Sequence, residues 1–357
     1  MITPLLKRTI LYDRHLSAQG RMGPVFQCEL PYEYGIGREA EYWAAKRFAA
    51  VFDCDFMLRL LLCGPQALTL LQTVVTSDLS RLKNGRISYA LICRSDGNML
   101  DSVSVIRLET EKFLLIADNS EVEDHLRKAA FGLDLCIENA SDSGFMLAIQ
   151  GPSSVEMTRP LVGFDPSELG PGQVGVFEIQ GRRGLLNRFG FTGEIGFELM
   201  VNPADAPWYW DQALNLGAVP CGYLATEDLR IGAGFISLDR ESGNPFENRL
   251  GRKVHFEKAD FIGREALMAA AKRGQEKVLV WLLSGEMIGG DIQGADIIAD
   301  GVRIGQISSG AIFWPGGVSL AMGYVRPGWA DEGRPCLIEM ADGGRTQARL
   351  MNRPPSI

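Results

Sequence analysis

The chain has 357 residues, 46% hydrophobic and 22% charged, with 36 Lys and Arg against 44 Asp and Glu. That length exceeds one compact core and suits two or three domains. The net charge of −8 argues against a nucleic acid or an anionic membrane surface as the main partner, but not against a small anion held by a few local cations.

The opening residues, "MITPLLKRTILYDRH", hold no apolar run of signal-peptide length. The most apolar stretch, "VFDCDFMLRLLLCG", is broken by Asp53, Asp55 and Arg59, so no membrane span is expected and a cytoplasmic protein is the default. Residues 36–50, "IGREAEYWAAKRFAA", carry a helical stripe of Tyr42, Ala45, Phe48 and Ala49, widened by Trp43. "YGIGREA" has the form GxGxxA, but no βαβ strand precedes it, so its glycines read as a turn before that helix rather than a dinucleotide site. "QALTLLQTVV" (66–75) and "VEDHLRKAA" (122–130) are amphipathic helices. Between them "GRISYALICR" and "MLDSVSVIRLE" alternate as strands joined at Asp96-Gly97, and "FLLIAD" follows as another. The mixture over 51–144 predicts an α+β domain with an antiparallel sheet.

Next come a strand, "GFMLAIQGP", a helix, "SSVEMTRPLV", and a Pro/Gly-rich loop over 163–175. "RGLLNRFGFTGEIGFELMV" supplies two strands around a glycine-rich bend. "APWYWDQALNLG" and "ATEDLRIGAGF" are helices, the second with Thr226 as the expected N-cap. From about residue 276 short strands and Gly turns predict a small terminal β-barrel or sandwich.

Cys28, Cys54, Cys63, Cys93, Cys136, Cys221 and Cys336 are odd in number and never in CxxC spacing. Cys54, Cys63, Cys93 and Cys136 sit in apolar or strand-like runs and are expected to be buried, reduced thiols. With only His15, His125 and His255, none near another candidate ligand in sequence, no metal site is expected.

Two segments carry candidate chemistry. In "RFGFTGEIGFEL" (188–199), Gly190, Gly193 and Gly196 permit close backbone approach. Phe191 and Phe197 offer flat apolar faces there, and Glu194 and Glu198 add carboxylates. A carboxylate beside aromatic walls suits a ligand with an amidine-like N–H pair, such as a pterin or purine, although composition alone favours a purely structural hairpin. In the 86–108 hairpin, a two-residue Asp96-Gly97 turn would pair Ser95 with Asn98, Leu91 with Ser102 and Tyr89 with Ser104. Tyr89 and Ser102 then share a face and Asp101 points away, an arrangement that a bulge would reverse.

Taken together, "LYDRHLSAQGRM", "VFDCDFMLRLLLCGPQAL", "ISYALI", "LAIQGP", "FGFTGEIGFEL", "PCGYLATEDLRIGAG", "NPFENRLG", "DFIGREAL" and "GQISSGAIFWP…LAMGYV" resemble, in order and over nearly the whole chain, the glycine-cleavage T-protein (aminomethyltransferase) superfamily. That superfamily includes folate-dependent demethylases. The resemblance implies an α+β, three-domain ring around a tetrahydrofolate site. Residues 1–50 plus 145–250 would form a discontinuous folate-binding domain, 51–144 an α+β domain with an antiparallel sheet, and 276–357 a terminal β domain. Carried over by position, Met57 and Tyr89 line the pocket and Glu198 binds the pterin edge. Phe191 stands where many relatives have tyrosine, Asp118 replaces a usual asparagine, and Arg230 keeps the second arginine of an ARDxLR helix.

Two departures qualify the resemblance. Relatives commonly carry paired acids after the hairpin turn; here Asp101 takes the first place and Ser102 the second. A serine can orient a water or an N–H but holds no charge opposite a developing cation. Thr226 and Glu227 also replace the Arg and Asp that open the helix motif. The expected activity is therefore a tetrahydrofolate-dependent methyl or other one-carbon transferase, or a demethylase, acting on a small methylated substrate. In it Ser102 and Tyr89 would orient donor or water, with Asp101 in reserve. The alternatives are a divergent glycine-cleavage aminomethyltransferase working with a lipoyl carrier protein, or a non-catalytic folate-binding accessory protein. The last is disfavoured because "ESGNPFENRLGRK" lacks the cysteine of the relative that assists iron–sulfur assembly.

Overall fold

A computed structural model describes residues 6–288, 292–314 and 318–355; the first five residues of the opening segment and Pro315 of the "GAIFWP" motif lie outside the described residues. The chain divides into two compact units, residues 1–90 with 101–226 and residues 91–100 with 227–357.

The first unit is built on a six-stranded sheet ordered Val174–Ile179, Arg182–Asn187, Gly196–Val201, Phe145–Gln150, Ala50–Asp53, Val219–Pro220. All its neighbours are antiparallel except the last, short strand. Phe145–Gln150 and Gly196–Val201 are buried at every position, as continuous apolar runs in the middle of a covered sheet should be. The helices Ser154–Val162 and Ala206–Asn215 cover it, and Tyr209 and Trp210 join Leu147, Phe197 and Leu199 in one core. The GxGxxA segment is indeed a turn: Gly37, at φ +85°, receives the chain from Tyr34 and opens the Arg38–Arg47 helix.

A five-stranded sheet follows the order Arg86–Cys93, Met99–Glu109, Lys112–Ala117, Leu58–Cys63, Cys136–Asn139. Helices Ala67–Val74 and Glu121–Ala129 form where their amphipathic patterns place them. The hairpin tip, residues 91–100, groups with the second unit. Its turn differs from the two-residue form. Gly97 donates its N–H to the Arg94 carbonyl at 2.9 Å and Arg94 donates to the Asn98 carbonyl at 2.8 Å, leaving Ser95, Asp96 and Gly97 as a three-residue loop. Gly97 takes φ +84° and Asp96 Oδ1 accepts the Asn98 N–H at 2.9 Å, the features of a type I turn followed by a left-handed residue.

The second unit contains a closed barrel of Val278–Ser284, Val318–Val325, Val302–Trp314, Asp296–Ala299, Pro335–Glu339 and Arg345–Met351, the last pairing back onto the first. The α+β class holds, and the barrel-or-sandwich alternative resolves as a barrel. Alternate residues of Arg345–Met351 point inward, with Thr346, Ala348 and Leu350 buried.

Two local expectations fail. Helix Tyr223–Ala233 begins a turn before Thr226. Thr226 lies inside it and donates its hydroxyl back to the Gly222 carbonyl at 2.9 Å, because the Cys221-Gly222 pair before it already supplies the break. Cys28, Cys54, Cys93, Cys221 and Cys336 are buried and outside any disulfide, but Cys63 is half-buried and Cys136 exposed, on a short strand that stands last in the sheet order.

Candidate functional site

The strand Met99–Glu109 presents Asp101 and Ser102 in succession, and the structure gives them opposite tasks. Tyr89 and Ser102 hydrogen-bond through their side chains, although the turn formed is not the two-residue one expected. Burial pushes the Tyr89 phenol up to about 12, and the nearby Asp101 and Asp118 carboxylates add to the rise. Tyr89 therefore stays protonated at neutral pH.

Asp101 is 2% exposed. Its Oδ1 accepts the Ser102 N–H at 2.7 Å, and its Oδ2 accepts the N–H groups of Asp118 and Asn119, each at 2.9 Å. Those two residues follow the Lys112–Ala117 strand and lead into the Glu121–Ala129 helix. Burial raises the Asp101 carboxyl to about 6 while the three backbone donors pull it down, so the carboxylate predominates at neutral pH. A buried negative charge thus sits one residue from Ser102, held by main chain.

Glu198 lies on the central strand Gly196–Val201, paired with Ala148 on one side and Asn187 on the other. It is 5% exposed, and burial raises its carboxyl to about 7 against a smaller opposing pull from Asn187. Asn187 is itself buried, and neither its amide nitrogen nor its oxygen makes a well-formed hydrogen bond. Gln150, at the end of the neighbouring strand, accepts from the Thr192 hydroxyl at 2.8 Å while its Nε2 is unpartnered. Phe191 is half-buried and meets Phe52 edge-on, with ring centroids 5.2 Å apart.

These parts belong to one neighbourhood. The Cys54 thiol, raised first by burial, feels the carboxylates of Glu198, Asp53 and Asp118 together. Met57, half-buried, is tied to it by its N–H to the Cys54 carbonyl at 3.2 Å. Met57, Tyr89, Asp101, Ser102, Asp118, Phe191 and Glu198 thus all lie in the first unit.

Three expectations are corrected or narrowed. Phe197 is fully buried in the sheet core and forms no ligand wall, because it alternates with Glu198 along the strand. Glu194 is ion-paired with Lys46. Arg230 lies in the second unit, where its Nε and Nη2 meet Glu227 at 2.6 and 2.7 Å. Its Nη1 reaches Glu241 at 3.2 Å and the Phe235 carbonyl at 3.1 Å, and its Nη2 also reaches Ser309 at 2.9 Å. Glu227, Glu241, Phe235 and Ser309 all lie in that same unit. Gln150 and Asn187 were not singled out from the sequence. Gln150 stood in the quoted "LAIQGP", whereas Asn187 opposes Glu198 only once the span of the intervening bend is known.

Among the described residues, no three His, Cys, Asp or Glu side chains are grouped to hold a metal ion, and no helix is long and apolar enough to cross a membrane.

Comparison with known proteins agrees with this architecture. The model of the GCVT N-terminal domain matches residues 11–258, and that of the glycine cleavage T-protein C-terminal barrel domain matches residues 277–355. An aminomethyltransferase of Streptomyces coelicolor is 36% identical over 349 residues, covering 92% of this chain and 91% of its own. One of Rubrobacter xylanophilus is 33% identical over 332 residues, covering 90% and 88%. The crystal structure of glycine cleavage system aminomethyltransferase T from Bartonella henselae matches with a TM-score of 0.90 at 27% identity, over 98% of each chain. With both family domains matched in order and its relatives aligned over nearly their full length, the chain belongs to the glycine cleavage T-protein family of transferases.

Proposed function

We propose that the chain is an aminomethyltransferase that passes a one-carbon unit from a lipoyl carrier protein to tetrahydrofolate. The observation that carries this reading is the full-length likeness to proteins named aminomethyltransferase. It displaces demethylation of a small methylated substrate, expected from Ser102, to second place, and leaves the non-catalytic accessory reading without support.

The first unit's polar residues fit such a cofactor. Asn187 has a buried amide oxygen without a hydrogen-bond partner, Gln150 an unpartnered Nε2, and Glu198 a desolvated carboxyl between them in the sheet. A flat ligand carrying N–H and C=O groups in its plane completes such a cluster. When bound, tetrahydrofolate supplies the nitrogen nucleophile that accepts the one-carbon unit. Glu198 accepts an N–H pair from the pterin edge, and Phe191 and Met57 provide apolar wall. Tyr89 and Ser102 orient the donor. Asp101 supplies through space the negative charge that Ser102 lacks, favouring positive charge on the donor in the transition state. Much of the rate comes from positioning and exclusion of water.

The test combines the full protein with tetrahydrofolate and an aminomethylated lipoyl carrier protein, and follows products by mass spectrometry. Release of ammonia with 5,10-methylenetetrahydrofolate supports the proposal. Formation of 5-methyltetrahydrofolate from methylated amines, and nothing from the carrier, selects the demethylase reading that Ser102 favours. Absence of tetrahydrofolate binding by calorimetry overturns both.

A further inference from the structure

Cys63 ends the Leu58–Cys63 strand, and Cys136 opens the Cys136–Asn139 strand that forms the outer edge of the five-stranded sheet. The two are direct partners in the antiparallel register. Partners of this kind project from the same face of the sheet. Ala140 donates its N–H to the Arg59 carbonyl at 2.8 Å, and the Cys63–Cys136 pair lies four residues further along the same ladder. It therefore repeats that hydrogen-bonded pair type, for which Cα atoms stand about 5.5 Å apart. That spacing is within the range that a disulfide spans, with Cα atoms about 4.4–6.8 Å apart.

Gly64 reinforces the approach. A Cβ there would come within 2.7 Å of the Leu135 Cα and 2.9 Å of the Asp134 carbonyl oxygen, so the two cysteine-bearing segments are packed backbone to backbone. Both thiols are free; Cys136 is exposed and Cys63 half-buried. Burial raises the Cys63 thiol, the Lys112 ammonium cross-strand from it opposes the rise, and the Cys136 thiol, Glu138 and Glu109 add to it. The other five cysteines are buried.

We propose that Cys63 and Cys136 are a reversible redox pair that closes a disulfide across the sheet edge. The Cys136 thiolate attacks one sulfur of a low-molecular-weight disulfide such as oxidised glutathione, forming a mixed disulfide and releasing one reduced glutathione. The Cys63 thiolate then attacks the Cys136 sulfur and releases the second. Two protein thiols give up two electrons and two protons, and one small disulfide becomes two thiols. Directly opposed residues of an antiparallel pair hold their Cβ atoms somewhat further apart than a relaxed disulfide does, so the bond is strained, and it is also exposed. Both features make it easy to reduce, the property of a switch rather than of a permanent staple. Closure would join the ends of residues 63–136, the segment that carries Tyr89, Asp101 and Ser102, and restrict that segment when unfolded.

The experiment equilibrates the full-length protein in buffers of rising oxidised-to-reduced glutathione ratio, blocks remaining thiols, and maps linked peptides by mass spectrometry. The expected result is a Cys63–Cys136 cross-link that grows with the ratio, raises Tm, and disappears with its Tm shift on adding dithiothreitol. In Cys63→Ser the mixed disulfide should accumulate at Cys136; in Cys136→Ser neither species should form at this edge. A mixed disulfide at Cys136 in the unsubstituted protein that never resolves would overturn the proposal. So would a cross-link from Cys136 to any other cysteine. Because Cys136 is exposed, Cys136→Ser keeps the test decisive should Cys63→Ser fail to fold.

Discussion

Glu198 is costly to the fold in the form that binding requires. Its carboxyl stands at about 7 against an ordinary 4.5, so ionising it within the sheet removes stability as pH rises from about 4.5 to about 7. Glu198→Gln should therefore raise Tm at pH 7.5 by an amount worth on the order of 2–3 kcal/mol, while weakening tetrahydrofolate binding at least about tenfold. Melting curves and calorimetry on the same samples check both halves. For the unsubstituted protein, tetrahydrofolate binding should weaken as pH falls through about 7, because the carboxylate that accepts the N–H pair is lost. Ionising Asp101 carries the same sign of cost, removing stability as pH rises from about 3.8 to about 6, but main-chain donors meet its carboxylate directly. Its oxygens receive three backbone N–H groups, and an asparagine would turn an NH₂ toward one or more of them. Asp101→Asn should lower stability by roughly 1–3 kcal/mol, read from the urea midpoint, beside any loss of transfer activity. The tasks of Asp101 and Ser102 could be told apart from sequence only through the turn before them. The turn gained a residue over the expected two, and a side-chain hydrogen bond joins Tyr89 to Ser102. The three N–H donors to Asp101 were not legible, because Asp118 and Asn119 reach it only through the neighbouring strand.

Elements were most legible where apolar period and punctuation agreed. Arg38–Arg47, Ala67–Val74, Glu121–Ala129 and Ala206–Asn215 all fall within a few residues of their patterns. Thr226 shows the opposite case, in which a good N-cap residue sits inside a helix that a preceding Gly starts earlier. Thr226→Ala should consequently shift stability by less than about 0.5 kcal/mol, whereas removing a true N-cap costs about 1 kcal/mol. Chemical denaturation distinguishes the two. Cys136 was expected inside because its neighbours are apolar, but the segment forms a terminal edge strand, and only sheet order reveals an edge.

Over the whole molecule, the terminal barrel has a core of its own around Val280, Leu282, Ile297 and Ile338. Ile297 is fully buried there, and Ile297→Ala should cost roughly 2–5 kcal/mol, seen as a lower midpoint in urea denaturation. The resolution of barrel over sandwich rests on Arg345–Met351 pairing back onto Val278–Ser284, a contact between segments some sixty residues apart.

By itself, the sequence determined the α+β class, most element positions, the family, and the residues that carry candidate chemistry. Each of these follows from local periodicity, turn chemistry or ordered motifs, which are written along the chain. Tertiary structure decided which of those residues share a neighbourhood and what each one has left to offer a ligand. Asp101 is spent on backbone donors, Arg230 on Glu227 and Glu241, and Glu194 on Lys46, whereas Glu198 and Asn187 are left buried and under-satisfied. Burial and hydrogen-bond satisfaction depend on which distant segments pack together, so they become readable only when the strands have been ordered.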